Sequence, residues 1–174
     1  MILTHIRELN MATTASENKT FTIEFTRHFI QAVQNTFSVM LNLEVQVGKP
    51  VVNEKGDLLF DVSGIIGFSG DVTGSIVIGF GEETALNVIE AFVGERVDLN
   101  SEDFSDAVGE LSNMIAGNSK KEFGVNASIS IPSVIIGPDH RSKKPADVPN
   151  IILPFASSCG EFCVQLMVKQ ASAT

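Results

Sequence analysis

The sequence predicts an α+β fold in which long helices pack on an antiparallel β-sheet, a unit of helix plus hairpins occurring twice. Two kinds of periodicity and one internal echo lead to that class. Three stretches return apolar residues at the spacing of one helix face, whereas the stretches between them alternate or run apolar with turn formers at their ends, as strands do. The echo is one of order. A long helix leading to Phe68 through Gly74 and then Ile76-Val77-Ile78 is matched by a second leading to Phe155 through Gly160 and then Phe162-Cys163-Val164. Helices grouped among antiparallel strands, without strict strand-helix-strand alternation, belong to the α+β class.

Residues 1–20 are polar and unpatterned, which predicts a loose N-terminal tail before a single domain over 21–172. Phe25, Phe29, Ala32, Val33, Thr36, Phe37, Met40 and Leu41 then share one face of a long helix. Val45 to Asn53 and Leu58 to Ile66 are β-rich, and Asn53 through Asp57 between them reads as a hairpin connection. Ile65 to Phe68 and Ser75 to Phe80 flank a further turn, Ser69 to Gly74. Glu82 to Val93 predicts a second helix with Ala85, Val88, Ile89 and Phe92 on one side, ended by Gly94.

A third helix starts at Asn100-Ser101, where a short polar side chain can cap free backbone N–H groups. It opens with Glu102 and Asp103, which suit the positive end of the helix dipole, and Gly124 stops it. Strands follow at Val125 to Ile131, Val134 to Ile136, Asn150 to Phe155 and Glu161 to Lys169. In the last, Phe162, Val164, Leu166 and Val168 alternate with Cys163, Gln165, Met167 and Lys169, the pattern of a half-buried antiparallel strand. Gly137 to Pro149 holds three of the six prolines and predicts a long, mobile surface loop.

Composition narrows the function. The chain has 174 residues and a net charge of −9, which argues against a nucleic-acid partner, because phosphate backbones need a surplus of Lys and Arg. Hydrophobic content of 44% with 19% charged residues excludes a disordered chain. Twelve Phe with no Trp or Tyr means that the aromatic rings carry no polar handle and belong to the core. Cys159 and Cys163, spaced C-x3-C, fit neither a disulfide framework nor a C-x-x-C site and read as plain reduced thiols. The absence of a leader pattern and of an apolar run about 20 residues long predicts a cytoplasmic protein without membrane insertion.

Familiar catalytic constellations are missing. His5, His28 and His140 are scattered without a second ligand at helical or turn spacing; His28 reads as a packing or surface residue and His140 as part of a solvated polar turn. The glycines between Gly64 and Gly81 fit hairpin turns and no phosphate-binding loop, and no strained G-x-S-x-G elbow is present. The third helix carries more. At about 100° per residue, Phe104, Ala107, Val108, Leu111, Met114 and Ile115 fall within roughly 120° and form its core face. Asp106, Glu110, Asn113 and Gly117 line up within about 60° on the other side as a polar stripe. Between them runs a stripe of small residues, Ser105, Gly109, Ser112, Ala116 and Ser119. Periodicity alone leaves two readings open: a solvated face beside a helix-packing groove, or a face that a partner approaches closely.

At these residues the sequence resembles a known family, the CheC/CheX/FliY phosphatases of bacterial chemotaxis, and within it the CheX type. The resemblance rests on Asp106-x3-Glu110-x2-Asn113, the continuation Met114-Ile115-Ala116-Gly117-Asn118, and Ile129-Ser130-Ile131-Pro132 with Gly137 after it. The helix ending Thr36-Phe37-Ser38-Val39-Met40-Leu41 also looks like the family's first helix, and the likeness covers about residues 20–170. Eighteen residues separate Asn113 from Pro132, a few fewer than the family pattern. The first helix has no second copy of the motif, since Glu24 is followed at +3 by Arg27, and a single site favours the CheX type over the two-site CheC type.

The resemblance implies hydrolysis of the phosphoryl-aspartate of a CheY-like receiver domain. It makes Asn113 and Glu110 the catalytic pair, with Asp106 placed to extend the acidic contact; from the small side chains we infer in addition that Gly109, Ser112 and Gly117 belong to the partner contact, where the receiver lies close to the helix. It implies a homodimer and no cofactor on this chain, Mg²⁺ belonging to the receiver. The residue types suit the chemistry: a carboxamide can hold the attacking water without bringing negative charge up to the phosphoryl oxygens. Two other classes remain as readings of the sequence, a non-catalytic receiver-docking or switch module, and a small-molecule sensor with the Pro-rich loop as a lid.

Overall fold

The computed structural model describes residues 20–53, 58–143, 145 and 148–171. Of the expected tail only Thr20 falls among them, and it is already helical. Helix α1 occupies residues 20–36 and runs directly into a π-helical turn, Phe37–Leu41. Phe25, Phe29, Ala32, Val33, Thr36 and Phe37 are buried as their spacing predicts. Met40, expected on the same face, is 45% exposed. The π turn holds more residues per turn than an α turn and rotates Met40 outward, while Leu41 stays inside. Asn42, left-handed at φ 54°, ends the helix.

Strands β1 (Gln46–Val47), β2 (Val51–Val52), β3 (Leu59–Gly70) and β4 (Val72–Phe80) lead to helix α2 (Glu82–Val93). Helix α3 (Glu102–Phe123) then leads to β5 (Ala127–Ile129), β6 (Ser133–Arg141), β7 (Ile151–Ser157) and β8 (Gly160–Gln170). These eight strands form one antiparallel sheet in the order β1-β7-β8-β4-β3-β5, with β2 also on β7 and β6 also on β3. The three helices packed on it give the α+β architecture that the sequence predicts. Gly94 and Gly124, at φ 94° and 69°, close α2 and α3 as expected.

The internal echo takes a specific form. Hairpins β3–β4 and β7–β8 meet at the centre through β4 and β8, paired from Val72↔Gln170 to Phe80↔Phe162. Each half then sends its short strands across to the other: β1 and β2 pair with β7, and β5 and β6 pair with β3. The expected hairpin between 45–53 and 58–66 is therefore not formed, because β7 takes the place of β3 as partner. Its connection, 54–57, lies outside the described residues. The expected turn Ser69 to Gly74 narrows to Asp71, since β3 runs to Gly70 and β4 starts at Val72.

The Pro-rich loop also shortens. Gly137 to Arg141 belong to β6, whose pairing with β3 shifts register between Phe60 and Val62. His140 is half-buried there and not in a solvated turn: Nε2 lies 2.7 Å from Ser63 Oγ and Nδ1 2.9 Å from the Gly137 carbonyl. Both sheet faces are covered in part. The main core joins the helices to one face through Phe29, Phe37, Phe104, Ile66, Ile76, Leu153 and Val164. A smaller cluster of Phe60, Val77, Val148 and Met167 lies apart from it. Gln165 and Met167 are 1% and 2% exposed, so β8 is buried on both faces rather than half-buried, as a central strand between β4 and β7 must be. No Phe is exposed, and Phe155 and Phe37 stack on Phe162 at 5.2 and 4.8 Å between ring centres.

Candidate functional site on helix α3

Helix α3 is held at its start by Ser101, whose Oγ accepts the Phe104 N–H at 3.1 Å, and Glu102 and Asp103 sit in its first turn. Its core face buries Phe104, Ala107, Val108, Leu111 and Ile115. The neighbouring small-residue stripe goes to the protein's own sheet. Ser112 is 1% exposed, its hydroxyl donates to the Val108 carbonyl at 2.7 Å, and it fills the space above Gly64 of β3, where an added methyl would overlap it. Ala116 and Ser119 are buried as well. Ser112 therefore cannot meet a partner with its side chain. For Ser112, Ala116 and Ser119 the helix-packing groove is the reading realised, whereas Ser105 and Gly109 border an open groove.

The polar stripe stays open. Asp106 and Glu110 are exposed, and Asn113 is half-buried. Neither the Asn113 carboxamide nor the Glu110 carboxylate is engaged by another described residue. Gly117 has open space where a side chain would begin. Asp106, Gly109 and Glu110, with Ser105, form one wall of a groove of about 560 Å³, and Pro132 and Val134 form the other. Gly109 lets Pro132 come close: a Cβ there would sit 3.3 Å from the proline ring.

Pro132 is placed by the residue pair before it. The Ser130 N–H donates to the Gly67 carbonyl at 2.9 Å, and Ser130 Oγ accepts the Gly67 N–H at 2.9 Å, which fastens this segment to β3. Pro132 and Val134 are site residues that helical periodicity could not have found, since they come from another element; Ser-Ile-Pro after the helix was the only signal. Asn118, the end of the motif, has a separate role. Its Nδ2 donates to Thr36 Oγ1 at 3.0 Å and ties α3 to α1.

Other reactive groups stand apart. Both cysteines are free; burial pushes the Cys163 thiol up to about 11 and raises Cys159, so neither is an activated thiolate. Among the described residues no cluster of His, Cys, Asp or Glu is arranged to hold a metal ion, and no helix is long and apolar enough to cross a membrane. The sheet's exchange of strands places a counterpart groove of about 230 Å³ between α1 and β2. It is lined by Thr22, Ile23, Thr26, Pro50, Val51, Val52 and Ile151, with neither a carboxylate nor an amide.

A family model described as "Chemotaxis phosphatase CheX" matches residues 62–156, from β3 through α3 and Pro132 to β7. This chain belongs to the CheX family. A CheY-P phosphatase, CheX of Thermotoga maritima, is 30% identical over 118 residues, which cover 66% of this chain and 76% of that protein. The crystal structure of the chemotaxis protein CheX from Vibrio vulnificus is 32% identical and superposes with a TM-score of 0.76 over 83% of this chain and 99% of that one. CheX in the CheX–CheY–BeF3–Mg²⁺ complex from Borrelia burgdorferi is 28% identical, with a TM-score of 0.70 over 84% of this chain and 98% of that one. The family match thus spans the groove and both of its walls.

Proposed function

We propose that this CheX-family chain hydrolyses the phosphoryl-aspartate of a CheY-like receiver domain, with Asn113 holding the attacking water. The observation that carries the reading is the pair of unengaged polar side chains on α3, the Glu110 carboxylate in the wall of the open groove and the Asn113 carboxamide one turn further along the same stripe. The relative from Thermotoga maritima is named for action on CheY-P, and the Borrelia relative was crystallised with CheY, BeF3 and Mg²⁺.

Each residue has a chemical task in this scheme. Charge neutralisation at the phosphoryl group comes from the receiver, which brings Mg²⁺ and a Lys. Asn113 accepts one hydrogen bond from the water and donates another, fixing the oxygen in line with the P–O bond. Such positioning can be worth up to about 7–11 kcal/mol in ideal cases. Glu110 pairs with the receiver's Lys and sets the docking register, and Asp106 extends that acidic contact. Gly117 leaves room for the receiver along the helix, and Gly109 seats Pro132 in the groove that the receiver would meet. The chain works as a homodimer in the cytoplasm, one site per protomer.

The test is phosphate release from a phosphorylated receiver. Wild type accelerates release under this scheme. Saturable binding without acceleration would support the docking module instead, and no binding at all would remove both.

A further inference from the structure

The polar stripe of α3 does not stop at Gly117. Lys120 and Lys121 lie on the same face, within roughly 100° of arc at 100° per residue, and extend the stripe to about 22 Å at 1.5 Å rise per residue. The face therefore reads, from its N-terminal end, carboxylate, carboxylate, amide, gap, ammonium, ammonium. Among the described residues neither lysine is in an ion pair, in a chain whose net charge is −9. Both line a groove of about 480 Å³ with Gly117, whose missing side chain keeps the path from Asn113 to the lysines open. The Cα–Cβ bonds of helical residues tilt toward the N-terminus, so both lysine side chains leave the helix in the direction of Asn113.

Lysines in a last helical turn also complement the helix dipole, and that accounts for their sign. It does not account for their lying on the stripe that carries Glu110 and Asn113. We propose that Lys120 and Lys121 are the second electrostatic half of the docking surface and receive an acidic patch on the same receiver domain whose phosphoryl group sits at Asn113. This rests on the function proposed above. A partner offering a cation to Glu110 and anions to the lysines fits in one direction only along α3, and the reversed orientation sets like charges against each other at both ends.

Steady-state phosphate release by full-length Lys120→Gln/Lys121→Gln, at low and at high ionic strength, tests the assignment. The expected result is a KM for the phosphorylated receiver raised about tenfold at low salt, with kcat within about twofold of wild type. The difference shrinks at high salt, where the screening length falls to a few ångströms. Lys120→Arg/Lys121→Arg keeps the charge and the wild-type KM. Equal KM for wild type and the Gln variant at low salt, or equal damage from the Arg and Gln variants, overturns the proposal; a role limited to the helix dipole lowers Tm and leaves KM alone. If wild type itself fails to accelerate release, the phosphatase reading falls separately. Titration of receiver binding then decides the lysines: affinity lost in the Gln variant and kept in the Arg variant upholds the surface, and affinity unchanged in the Gln variant removes it.

Discussion

Asn113 and Glu110 illustrate what a spacing can and cannot reveal. Residues three apart on a helix must share a face, so their juxtaposition is readable from the chain, and the structure leaves both side chains unengaged. What acts between them and the groove is not readable: Pro132 reaches Gly109 only because Ser130 is fastened to Gly67 across β3. Ser112 shows the opposite failure. Its angle on the helix lies between core and solvent, and the absent side chain of Gly64, nearly fifty positions earlier, decides that it is buried. Removing the charge at Glu110 tests its role directly. Glu110→Gln retains size and helix propensity, and its expected effect is a KM raised tenfold or more in steady-state phosphate release, roughly the 1.4 kcal/mol or more that a lost charge-assisted contact represents. An unchanged KM would detach Glu110 from docking.

At the scale of elements, helix ends and faces follow local rules and were legible. Ser101, Gly94 and Gly124 mark boundaries through capping and left-handed backbone, and both effects act within a few residues. Strand partners were less so. The β-rich stretch 45–53 announces extended backbone, yet its pairing with β7 instead of β3 depends on residues a hundred positions away. The π turn at Phe37–Leu41 shifts the face of α1 by local geometry that apolar periodicity does not encode. The seat of α3 on β3 yields a stability prediction. Gly64→Ala forces a methyl into the Ser112 hydroxyl and is expected to cost about 1–3 kcal/mol in thermal or denaturant unfolding. Adding Ser112→Gly removes the clash, so the double variant should recover much of the Gly64→Ala loss. Simple addition of two losses would show that the contact does not seat the helix.

For the molecule as a whole, the twofold order of helix and hairpins was legible, and the exchange of short strands between halves was not. That exchange has a geometric consequence. It gives each long helix a groove beside a proline, with the Asp106 and Glu110 carboxylates on α3 and Thr22, Ile23 and Thr26 on α1. The sheet remains open at β1 and β5, and light scattering at micromolar concentration should report the mass of a homodimer; a monomer would remove that part of the account. If one amide on α3 positions the attacking water, phosphate release by Asn113→Ala on a phosphorylated receiver must show its loss. The expected result is a fall in kcat of about 10²-fold or more with binding of the receiver retained. Release by Asn113→Ala at the wild-type rate would contradict it.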